Sequence, residues 1–135
     1  MPARQPFRIV LSPLDQGLGM LNFTTSDSGG VMIVAFDTVE EENLDWQFSQ
    51  RDWLYKTIES REDGRFALDL TDVSYLASSE IGFLVTVKRR VDRRNGQLVL
   101  FGVAPYVLDI FRTMNLQKVL EIADTRGAAL SRLKR

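Results

Sequence analysis

Between Arg65 and Arg94 the hydrophobic period changes once, and that change restricts the chain to a narrow set of folds. Phe66 to Leu70 is a short, mostly apolar run closed by Thr71 and Asp72, the pattern of a strand buried in the middle of a sheet. From Ser79 onward, Ile81, Leu84, Val85, Lys88 and Val91 recur at spacings of three and four, which predicts one face of a helix. Asn95 and Gly96 then offer a left-handed stop. Val73, Tyr75 and Leu76 bridge strand and helix. At the junction stand Ala77, Ser78, Ser79 and Glu80, two hydroxyls and a carboxylate at a helix start. Backbone N–H groups lack helical partners there, and the macrodipole favours negative charge. A serine in such a place is ordinarily an N-cap.

The flanking segments extend the same alternation. Leu21 to Thr25 and Val31 to Phe36 read as a hairpin joined by Ser26-Asp27-Ser28-Gly29-Gly30, the glycines supplying positive φ. A helix follows from about Asp45 to Ser60, with Leu44, Phe48, Leu54, Tyr55 and Ile58 on its core side. Trp46 and Trp53, seven residues apart, share a flank of that helix and suit packing against a sheet edge, or else a sticky surface. Gln97 to Val103 reads as a second buried strand. Pro105 opens a short helix, where its missing N–H costs nothing, and Asn115 ends it. Val119 to Ile122 is expected to form a last short strand. Thr125 to Leu133 should form a terminal helix that turns Ala128, Ala129, Leu130 and Leu133 inward and sets Arg126, Arg132, Lys134 and Arg135 outward. The expectation is an α/β domain, a small mixed sheet of about five strands with about four helices, over residues 21–135. Residues 1–20, broken by Pro2, Pro6, Pro13, Gly17 and Gly19, are expected to be a poorly ordered arm with a short strand at most at Phe7 to Leu11.

Composition excludes several chemistries. With no cysteine, thiolate metal sites and thiol catalysis are impossible, and with no histidine the usual general base and commonest metal ligand are missing. A serine hydrolase would need a lysine desolvated beside Ser79, so no catalytic residue, metal or cofactor is expected. The 17 basic and 18 acidic side chains leave a net charge of 17 − 18 = −1, against a general nucleic-acid binder. Lys88, Arg89, Arg90, Arg93 and Arg94 spread round their helix and read as an exposed face. Glu40 to Glu42, in one acidic connector, read as solvated charge and not as a metal site. No apolar run approaches the length of a membrane span, and Met1 to Gln16 lacks the apolar segment of a signal peptide, so a cytoplasmic location is expected.

A family resemblance rests on order and spacing over the last two thirds of the chain. Asp69-Leu70, Ser78-Ser79, Ile81-Gly82, Asn95-Gly96, the strand from Leu98 to Val103, Pro105 and Asn115-Leu116 occur in the order of a STAS domain. That family typically shows a strand ending in D-L, then D-S-S-G-L-G, a helix, a Gly-Gly turn, a strand, a Pro-started helix and a G-L hinge. Ala77 stands where the family usually has Asp, and Glu80 where it usually has Gly. The resemblance implies an anti-anti-sigma factor, a binding module and not an enzyme. Its partners would be an anti-sigma factor with serine kinase activity and a serine phosphatase. It implies Ser79, with Ser78 beside it, as phosphoacceptor, and Asp45, Ser78, Ser79, Glu80 and Gly82 as partner-binding residues. Leu44-Asp45 resembles the end of the family's G-x-L-D after the second strand. Glu80 beside a phosphate on Ser79 implies like-charge repulsion and slower phosphorylation. The alternative is a constitutive STAS scaffold or ligand-binding subunit of a signalling or transport complex.

Overall fold

A computed structural model describes residues 21–38, 44–73, 76 and 78–133, by backbone alone at 21, 22, 38, 44–50 and 78. The expected arm, with its strand at Phe7 to Leu11, lies outside the described residues. Among the described residues there are five strands and four α-helices: β1 (Leu21–Ser28), β2 (Val31–Thr38), α1 (Leu44–Glu59), β3 (Arg65–Asp72), α2 (Ser78–Arg93), β4 (Gln97–Phe101), α3 (Pro105–Thr113), a 3-10 turn (Leu116–Lys118), β5 (Glu121–Ala123) and α4 (Arg126–Leu133). The strands lie side by side in chain order, β1 antiparallel to β2 and the remaining three parallel to it. The mixed sheet expected from the alternation is therefore present.

The sheet has two covered faces because successive strand residues point to opposite sides. Met32, Val34 and Phe36 of β2, Phe66, Leu68 and Leu70 of β3, and Leu98 and Leu100 of β4 join one core. Leu54 and Ile58 of α1, Leu84, Val87 and Val91 of α2, and Val107 and Phe111 of α3 close over it. The intervening residues Val31, Ile33, Ala67, Val99 and Phe101 form a second core with Ala123, under Ala129 and Leu133 of α4. Burial on both faces explains why β3 and β4 are apolar runs and not alternating ones. Arg65 ties α4 down, its Nη1 donating to the Leu133 carbonyl at 2.9 Å.

Several boundaries differ from expectation. The hairpin turns on Gly29-Gly30 alone, so its strands pair fully from Leu21↔Thr38 to Ser28↔Val31. β4 stops at Phe101 because Gly102 takes φ 71°, which no strand continues. The last strand is Glu121–Ala123, not Val119 to Ile122, and Val119 is exposed. On α2 the inward arc is Glu80, Phe83, Leu84, Val87 and Val91, together with Ile81, while Val85 and Lys88 are only half-buried. Asn95 and Asn115 both take φ 60°, the left-handed stops that their positions suggest. Trp53 packs beside Phe23 at 6.3 Å between ring centroids, as a packing residue would; the side chain of Trp46 lies outside what the structure describes. No described helix is long and apolar enough to cross a membrane.

Candidate functional site

Each helix that follows a parallel strand starts at the carboxyl end of the sheet, the end where α/β folds place their ligands. There β3 ends in an ordered turn. The Asp69 carboxylate accepts from Thr71 N at 2.9 Å and from Thr71 Oγ1 at 2.6 Å, and Val73 N donates to the Leu70 carbonyl at 3.0 Å. Val73 and Leu76 are buried and anchor the connector to the core. Gly102 lies against this turn, where an added Cβ would stand 2.3 Å from Thr71 Oγ1. The turns leaving β3 and β4 thus interlock, and they fix where α2 begins.

The first turn of α2 carries the residues singled out from sequence. Ser78 is its first residue and Ser79 its second, and Ser79 is exposed. Gly82 is exposed as well, with nothing within 4 Å of the place a Cβ would occupy. Asp45 is the second residue of α1, so the structure sets it at a helix start of the same sheet end. Glu80 departs from expectation. It is fully buried, in line with Leu84, Val87 and Val91 at the i, i+4, i+7 and i+11 spacing. It offers no surface to a partner in this conformation. The first turn is the place on a helix where a carboxylate is best tolerated, since the macrodipole is positive there.

A seam between α1 and α2 was not foreseen. The Arg51 guanidinium lies over the Phe83 ring at 4.7 Å, Tyr55 packs on Phe83 at 5.8 Å, and Arg90 covers Tyr55 at 4.1 Å. Arg90 Nη1 also donates to Glu59 Oε2 at 2.6 Å. Burial pushes the Tyr55 hydroxyl's pKa above its ordinary value, opposed by Arg51, Arg90 and the Thr86 hydroxyl. The spacing of four between Arg51, Tyr55 and Glu59 was a visible signal that they share a face. Nothing in one sequence says which helix that face meets. Among the described residues no group of His, Cys, Asp and Glu is arranged to hold a metal.

The family model "STAS domain" matches residues 30–129. An anti-sigma-B factor antagonist of Listeria monocytogenes is 33% identical over 60 residues, 44% of this chain and 53% of that protein. The chain's match thus spans about half the length of that curated relative. Among solved structures, an anti-sigma-factor antagonist (STAS) domain protein from Planctomyces limnophilus superposes with a TM-score of 0.69 at 19% identity, over 82% of this chain and 97% of that one. The Bacillus cell fate determinant SpoIIAA in its phosphorylated form gives 0.61 at 16% identity, over 83% and 99%.

Proposed function

The chain belongs to the STAS domain family, and from that premise we propose that it acts as an anti-anti-sigma factor, a cytoplasmic binding module that captures an anti-sigma factor. The observation that carries this reading is the exposed pair Ser79 and Gly82 at the start of α2, at the sheet end where α1 also starts. A hydroxyl and an open glycine on one helical turn let another protein approach the backbone closely. The names of the relatives support the same class, since the Listeria protein is called an anti-sigma-B factor antagonist and SpoIIAA has been solved in a phosphorylated form.

In this reading the partner is also a serine kinase. The γ-phosphoryl group of ATP passes to Ser79 Oγ, the hydroxyl proton goes to a base of the kinase, and ADP leaves. The product carries about −1.5 to −2 more charge at the helix start. That charge is tolerated by the helix and costly to desolvate in a tight interface, so the partner is released. A phosphatase reverses the step. Glu80 is turned into the core, whereas Ser79 is exposed and so open to a kinase from outside.

Incubating wild type, Ser79→Ala and Ser78→Ala with a kinase-type anti-sigma factor and ATP, then mapping phosphate by mass spectrometry, tests the switch. Phosphate on wild type and Ser78→Ala, and none on Ser79→Ala, is expected. In pull-downs from the source cells, Ser79→Asp and Gly82→Trp should both lose the partner, the first through charge and the second through bulk. The second reading, a constitutive STAS scaffold or ligand-binding subunit, is favoured by Glu80 occupying the inward first-turn position. It predicts partner capture that Ser79→Asp leaves intact and no phosphate on any variant.

A further inference from the structure

The seam between α1 and α2 places a guanidinium close to the proposed phosphoacceptor. Its contacts climb in step along both helices, Arg51 with Phe83, then Tyr55 with Phe83 and Arg90, then Glu59 with Arg90, so the two helices run parallel. On α2, Ser79, Phe83 and Arg90 are separated by four and eleven residues, which sets all three within about 40° of one another round the axis. Ser79 therefore lies on the line that faces α1, one turn before Phe83 and about 6 Å from it. Helical side chains lean toward the N-terminus of their own helix. The Phe83 ring therefore leans toward the level of Ser79, and the Arg51 guanidinium lies over that ring.

We propose that Arg51 is the cation that receives the phosphate on Ser79, so that phosphorylation ties the start of α2 to α1. This rests on the reading of Ser79 as phosphoacceptor. The face of the guanidinium stacks on Phe83, and a phosphate is taken at its edge through two parallel N–H donors, so both contacts can be held together. Arg90 lies eleven residues beyond Ser79, about 16 Å along the helix, and is out of reach of the phosphate. The consequence is that the modified state differs from the unmodified one on α1 as well as at the helix start, which gives a partner two surfaces by which to distinguish them.

The test installs phosphoserine at position 79 during translation, so that it needs no kinase. The second ionisation of the phosphate, ordinarily near pH 6, is followed by phosphorus NMR in the full chain. A neighbouring guanidinium favours the dianion, so the wild-type pKa should lie at least about half a unit below that of Arg51→Gln. Arg90→Gln should titrate like wild type. Equal values for wild type and Arg51→Gln overturn the proposal. Should Arg51→Gln fail to fold, the Arg51 Nε–H resonance of wild type decides, since it must move on phosphorylation, and an unmoved resonance overturns the proposal. Phosphate transfer to Ser79 by a kinase together with an unshifted titration would sink the Arg51 contact and keep the switch. A shifted titration with no kinase acting on Ser79 would do the reverse.

Discussion

At one end of the β3–β4 pair, Gly96 passes so close to Gly64 that a Cβ on it would stand 2.6 Å from the Gly64 carbonyl oxygen; at the other, Gly102 meets Thr71. Both ends use a glycine to bring two crossover connections into contact, but they are finished differently. The Gly96 end is closed by backbone. Asp63 N donates to Arg94 O, Gln97 N to Gly64 O and Gly96 N to Val91 O, each at 2.9 Å, and Glu62 pairs with Arg94 outside them. The Gly102 end is closed by a side chain, the Thr71 hydroxyl held on Asp69, and beyond it the chain goes on to the exposed Ser79. Side-chain closure fixes the start of α2 and leaves Ser79 and Gly82 exposed.

The largest expected effect comes from Gly102→Ala. The new Cβ meets both a φ of 71° and the Thr71 hydroxyl, a left-handed cost of about 1–2 kcal/mol plus overpacking of about 1–3 kcal/mol. Thermal unfolding should fall by roughly 10 °C, and partner capture should fall at temperatures where the variant is still folded. Gly96→Ala comes next, at about 1–3 kcal/mol, because its Cβ meets a carbonyl oxygen that is already a hydrogen-bond acceptor. Below its own melting temperature this variant should capture the partner as wild type does. Equal loss of capture in both variants would break the contrast between the two ends.

These two glycines also mark what the sequence could and could not disclose. The change of hydrophobic period between Phe66 and Val91 is local, so β3 and α2 were legible, as were Asn95 and Asn115, whose left-handed stops depend on residue type and immediate neighbours. The end of β4 was not, because Gly102 leaves the strand on account of Thr71, thirty-one positions earlier. The inward arc of α2 was misplaced by about one residue. Val85 and Lys88 on one side and Phe83 and Val87 on the other both continue an apolar line through Leu84, and the charge on Glu80 argued against the line that the sheet selects. For the candidate site, Ser79 and Gly82 were singled out through family order. Arg51 was invisible, because its place is set by a helix more than thirty residues away.

Gly82→Ala sharpens the comparison from the other direction. Gly82 lies inside α2 with open space around it, so an alanine loses nothing in contacts and gains helix propensity of about 0.5–1 kcal/mol. The Thr86 hydroxyl bonds the Gly82 carbonyl at 2.9 Å and is undisturbed by a Cβ. A rise of a few degrees in the unfolding midpoint is expected, opposite in sign to the other two glycines. A fall would mean that this turn is already packed and is no open surface.

The smallest effect concerns the seam, and its sign follows from Tyr55. Burial raises the pKa of its hydroxyl above the ordinary tyrosine value of about 10, with Arg51, Arg90 and Thr86 pulling the other way. An acid whose folded pKa is raised keeps its proton in the folded state after the unfolded chain has lost it. The folded state then binds more protons than the unfolded one, and stability falls as pH rises above about 10. Tyr55→Phe removes this group from the linkage, so between about pH 9 and pH 11 the wild-type protein should lose stability more steeply than the variant. Denaturant midpoints at the two pH values would measure it. Parallel slopes would show that Tyr55 ionises in the folded protein as it does in the unfolded chain, and would remove burial of the seam as the dominant influence on it.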